Sequence, residues 1–179
     1  AVAATSAPPG RRTFYKVGHW TAAELRASLA GTTMVHYTHE YGTQVSYYSP
    51  AGREWLWFPG NSALVPEQWR TEDRPTQQAA ICFKDPPNSF DAVTLRRGGD
   101  WECHLAMNLV PLGSRLAQRK GDVFGLSQRS APPFVTSAAP GEFDHIVALL
   151  PPASPDDEPP PLKRVMLHEV PDAASIRAP

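Results

Sequence analysis

The chain has 179 residues, 41% of them hydrophobic, with 17 lysines and arginines against 18 aspartates and glutamates for a formal net charge of -1. That length suits one domain able to bury a core without a metal, and isolated basic pairs at Arg11-Arg12 and Arg96-Arg97 are not the phosphate-neutralising stripe of a nucleic-acid binder. The longest apolar run, 146–150, falls far short of the roughly 20 residues that cross a bilayer, so no transmembrane segment is expected.

Residues 1–13 have the Ala/Pro/Gly/Ser character of a linker, and the opening "AVAATSAPPG" is the kind of small, polar stretch that follows a cleaved signal peptide. Export to the periplasm or the medium is therefore expected. The first folded signal is "TAAELRASLAG". Thr21 and Glu24 make a capping box, Leu25 and Leu29 recur one turn apart, and Gly31 offers a left-handed stop, which predicts one short N-terminal helix.

The period then changes from 3.6 to 2. Thr33, Val35 and Tyr37 alternate with Met34, His36 and Thr38, and Thr43, Val45 and Tyr47 alternate with Gln44, Ser46 and Tyr48, predicting a hairpin that turns near Tyr41-Gly42. His36, His39 and Glu40 invite comparison with zinc motifs, but the His-Glu-x-x-His order is absent and a spacing of three puts the two rings on opposite faces of a strand. No metal ligand set is assigned. "SPAG" predicts a tight turn ending at Gly52, followed by a strand over 53–58.

In that strand Trp55 and Trp57 share one face while Leu56 and Phe58 occupy the other, so both sides are apolar. One face meets a core and the other needs a cover: the helix, the tail, a protein partner or a ligand. Tyr47, Trp55, Trp57 and Phe58 are therefore the candidate ligand or partner surface.

Further strands are expected near 68–71 and 78–84, and Gly98-Gly99 predicts a primed hairpin turn between strands at 93–96 and 101–107. The segments 121–128 and 143–150 alternate less cleanly and are read as short strands. Cys82 and Cys103 fall in expected strands of a chain expected to be exported, with no Cys-x-x-Cys redox pair, so they are expected to form a structural disulfide. From Pro151 the composition becomes Pro-rich and acidic; within this tail "LKRVMLHEV" could dock as an edge strand with Val165 and Leu167 inward. The organisation expected is thus a linker (1–13), a β-barrel-like domain (14–150) and a Pro-rich tail (151–179).

Catalytic constellations are thin: there is no Gly-x-Ser-x-Gly elbow, no phosphate-binding loop and no dinucleotide fingerprint, so no catalytic residue and no cofactor is assigned. Glu54, Glu67, Glu72 and Asp73 are too ordinary in sequence for any pair to be nominated as acid and base.

The succession "HWTAAELRASLAGTT", "GTQVSYYSPAGREW", "AAICFKD" and "WECHLAM" resembles the DUF995-type bacterial exported proteins of unknown function. The matching positions are Leu29, Gly31 and Thr33, Tyr47 to Gly52, Trp69, Ile81 to Phe83, and Cys103, and the resemblance covers about half the chain, from Trp20 to Met107. It implies a lipocalin-like small barrel and no established activity; the stretch from Asp85 to Asp91 and the Pro-rich tail depart from its minimal form. The expected fold is mainly β, a small antiparallel lipocalin-like barrel or half-barrel with one N-terminal helix. The expected function is a non-enzymatic exported binding or assembly protein that contacts another protein through its aromatic surface and tail. The alternative is a carrier of a small apolar ligand.

Overall fold

The computed structural model describes residues 20–75, 78–106 and 115–151, with backbone only at 115 and 116. The expected linker and the tail with Val165 and Leu167 lie outside the described residues. Helix α1 (Ala22–Leu29) starts where the capping box put it: the Glu24 amide donates to Thr21 Oγ1 at 3.2 Å and the Thr21 amide donates to the Glu24 carboxylate at 3.0 Å. The chain leaves the helix through Gly31, at φ +72°, whose amide donates to the Tyr48 carbonyl and so ties the helix exit to the sheet.

Strands β1 (Thr32–Thr38), β2 (Gly42–Tyr48), β3 (Arg53–Trp57), β4 (Val65–Asp73) and β5 (Ala79–Lys84) follow as an antiparallel meander. Strands β6 (Phe90–Asp91) and β7 (Arg96–Arg97) form a separate two-stranded ribbon, and β8 (Glu102–Leu105) and β9 (Arg115–Lys120) complete the main sheet. Its order is β8-β5-β4-β3-β2-β1-β9, a seven-stranded curled half-barrel, as expected from the period-2 patterning. Among the described residues no helix is long and apolar enough to cross a membrane.

Both faces of this sheet are packed. On one, Leu25 and Leu29 of α1 meet Met34, Tyr48, Trp69 and Ile81. On the other, Val35, Val45 and Trp57 meet Phe124, Leu126, Phe143 and Ile146 from the segment after β9. Gly42 makes the second packing possible, because at φ +74° it turns the β1–β2 hairpin and a Cβ there would lie 2.8 Å from the Ala138 backbone.

Three expectations are corrected, and one strand was missed. The segment 121–128 is not a strand: Asp122 accepts from the Leu126 and Ser127 amides at 2.8 Å each and winds Leu126–Gln128 into a 3-10 turn. The segment 143–150 forms helix α2 (Phe143–Ala148), which buries Phe143 and Ile146 three residues apart. Strand β9 was not anticipated at all. The hairpin around Gly98-Gly99 is also absent. Instead β6 pairs with β7 about a turn in which Asp91 Oδ1 accepts from the Val93 and Thr94 amides, and β8 pairs with β5. The two glycines serve a close crossing: a Cβ on Gly98 would collide with the Pro86 carbonyl, and the Gly99 amide donates to the Asp85 carbonyl at 3.1 Å.

Candidate functional site

The register of the meander builds a polar band that is not contiguous in sequence. Thr32 lies opposite Tyr48, Tyr48 opposite Glu54, and Glu54 opposite Glu67, one row across four strands on the face that carries α1. The β4–β5 ladder ends with the pair Gln68–Lys84, so Asp85 sits one residue past it beside Glu67. One rung further along β2, Ser46 faces Met34 and Leu56, and beyond it His36 faces Gln44.

These groups are withdrawn from water: Ser46 is 1% exposed, Glu54 3% and Glu67 7%. Two carboxylates in directly opposite cross-strand positions repel if both ionise, and burial penalises either charge. Burial therefore raises Glu54 to about 8, with the charge of Asp85 adding to it and the nearby Ser46 and Tyr48 hydroxyls opposing it. Glu67 is raised by burial and then by the charges of Glu54 and Asp85, and Asp85 itself is raised by burial. At neutral pH the Glu54–Glu67 pair holds at least one proton.

The band is also under-satisfied. Ser46 Oγ, Glu54 Oε2 and His36 Nδ1 are buried with no hydrogen-bond partner. The Ser46 hydroxyl lies close enough to temper the Glu54 carboxyl, yet the two do not form a well-aligned bond. His36 keeps some residue exposure but its ring is densely surrounded, and burial lowers it to about 4 against the opposing effect of Gln44, so it is neutral at physiological pH. His39 lies in the exposed turn, which leaves the two histidines apart.

Where β4 and β5 part, a cavity of about 390 Å³ opens against this band. Glu67 and Asp85 line it together with Arg53, Lys84 and the Pro86–Pro87 turn. The stretch that supplies those prolines runs on to the β1–β2 turn, where the Tyr41 hydroxyl donates to Asp91 Oδ2 at 2.9 Å and the Tyr41 ring meets Phe58 edge-on at 5.7 Å.

Comparison with protein-family models, curated proteins and solved structures finds no match to this chain.

The aromatic residues singled out in the sequence are divided by the fold. Trp57 is 0% exposed, between the rings of Phe124 and Phe134 at 5.6 and 4.9 Å, and so cannot be a contact surface. Tyr47 and Trp55 share its face at the margin of that core, stacked 5.9 Å apart and partly exposed, while Phe58 contacts Tyr41 at the strand end. The cover that β3 required on its tryptophan face is the chain's own segment 123–150. On the opposite face Glu54 is in phase with Leu56, so that side of β3 is mixed rather than apolar.

Cys82 and Cys103 are directly paired on β5 and β8 and form the disulfide, with Cα atoms 3.9 Å apart. Glu72 Oε1 approaches both sulfurs at 2.9 and 3.0 Å. An oxidised pair has no S–H to donate, and Glu72 is instead paired with the Arg74 guanidinium at 2.7 Å. Glu72, Cys82 and Cys103 are the one metal-like grouping among the described residues, and the disulfide removes both thiolates from it.

Proposed function

We propose that this protein is a non-enzymatic, lipocalin-like carrier, exported to the periplasm or the medium, that seats a small polar ligand in the cavity beside Glu67. The observation that carries this reading is an opening of about 390 Å³ at which the buried Glu67, with Asp85, meets Arg53 and Lys84. The cavity volume is in the range of small-ligand sites. Four of its eight lining residues, Arg53, Glu67, Lys84 and Asp85, are ionisable, which favours a ligand with polar groups. Disulfide bonding supports an oxidising compartment, and the resemblance to DUF995-type proteins agrees with export.

Native mass spectrometry of protein recovered from exporting cells tests the reading. A small-molecule adduct released on denaturation is expected. A bare polypeptide mass, with no melting shift across a panel of polar metabolites, overturns it.

A second reading, contact with another protein, draws support from the ribbon between β5 and β8. There Phe90, Val93 and Leu95 are 57%, 47% and 73% exposed, and Leu95 holds φ +58° at the turn. A strictly monomeric protein that captures no companion through this ribbon removes that reading.

A further inference from the structure

The cavity beside Glu67 has walls of both signs, and the way the sheet places them is specific. Glu54, Glu67 and Asp85 belong to the face that carries α1, while their chain neighbours Arg53, Gln68 and Lys84 alternate to the other face. Because the β4–β5 ladder stops at Gln68–Lys84, the two rows meet at one opening, and Arg53 and Lys84 line it together with Glu67 and Asp85.

Neither cation forms an ion pair among the described residues; the Arg53 guanidinium lies over the Trp55 ring at 5.8 Å. Neither carboxylate of the opening has a cationic partner there either. Behind Glu67, across the β3–β4 pairing, lies Glu54 at 3% exposure, outside the lining of the opening.

A simple cation entering here would meet Arg53 and Lys84. A simple anion would meet the charge shared by Glu67 and Asp85. An uncharged molecule would leave Arg53, Lys84 and the charge shared by the Glu67–Asp85 pair unmatched. We infer, resting on the carrier reading above, that the ligand is a small zwitterion of amino-acid type, its ammonium group facing Glu67 and Asp85 and its acid group facing Arg53 and Lys84. The ammonium brings several N–H donors to the acidic wall, and the carboxylate accepts from the guanidinium and the lysine.

The experiment is calorimetric titration of the intact, oxidised protein with L-alanine, 4-aminobutanoate, n-butylamine, butyrate and 1,4-butanediol. At least one of the two zwitterions is expected to bind tenfold or more tighter than butylamine, butyrate or the diol. Lys84→Gln should lower zwitterion affinity to that of butylamine, and Glu67→Gln should lower it to that of butyrate; circular dichroism establishes that each variant folds. Equal or tighter binding of a singly charged or neutral probe overturns the zwitterion assignment and leaves the carrier reading standing. Binding by no probe overturns the zwitterion assignment, and the carrier reading falls with it only if native mass spectrometry also shows a bare chain.

Discussion

Replacing Glu54 with glutamine isolates the energetic consequence of the buried carboxylate row. In the fold Glu54 is raised from 4.5 to about 8, chiefly by burial. The native state therefore keeps a proton that the unfolded chain releases above about pH 4.5, so stability falls as pH rises through that window and levels off above pH 8. At 1.36 kcal/mol per pH unit the penalty accumulated between pH 4.5 and pH 7 is about 3 kcal/mol. Glutamine is neutral throughout and removes it. Urea unfolding of the oxidised protein, followed by tryptophan fluorescence at several pH values, is the assay. The stability of E54Q relative to wild type should grow by about 2–3 kcal/mol between pH 4.5 and 7, the lower figure allowing for Glu67 taking up part of the shared proton. Contributions from groups such as His36 are common to both proteins and cancel in the difference. Curves that run parallel from pH 4.5 to 8 would refute the argument, since a solvated or ion-paired Glu54 would give no divergence.

Two further outcomes follow from the packing and the cross-link. Reducing the Cys82–Cys103 bridge, whose sequence separation is 21, should lower unfolding free energy by about 3 kcal/mol on the chain-entropy account; thiol titration of the denatured protein should count two reactive groups only after reductant. Trp57→Ala should cost about 3–5 kcal/mol because it empties a filled site between Phe124 and Phe134. Trp55→Ala, at the partly exposed margin, should cost on the order of 1 kcal/mol, about the worth of an aromatic pair. Equal losses in the two variants, measured by the same urea unfolding, would contradict the division of the aromatic residues described above.

The meander was legible in the sequence because each strand carries its own alternation and each turn its own glycine or proline. The helix start was legible because Thr21 and Glu24 sit three residues apart on the same stretch. The disulfide was readable from two cysteines in expected strands with no third cysteine to compete; that the two strands are neighbours was not. The polar row was not readable: Ser46, Glu54, Glu67 and Asp85 are brought together by register across successive strands, and no linear spacing encodes that. One signal was present. Glu54 is in phase with Leu56, so the second face of 53–58 was never purely apolar. Helix α2 also had its mark, since Phe143, Ile146, Val147 and Leu150 recur at helical intervals. Strand β9, "RLAQRK", had none; its place beside β1 is set by the pairing of Val35 with Ala117 and its neighbours, a tertiary choice.

The link between Cys82 and Cys103 turns everything between them into a macrocycle, and the Pro86–Pro87 wall of the cavity belongs to that ring. The cross-link narrows the conformations open to that stretch once the thiols oxidise. On the carrier reading proposed above, a guest meets a preorganised rim and loses less entropy on docking, so that reading ties affinity as well as folding to the oxidation state of the surroundings.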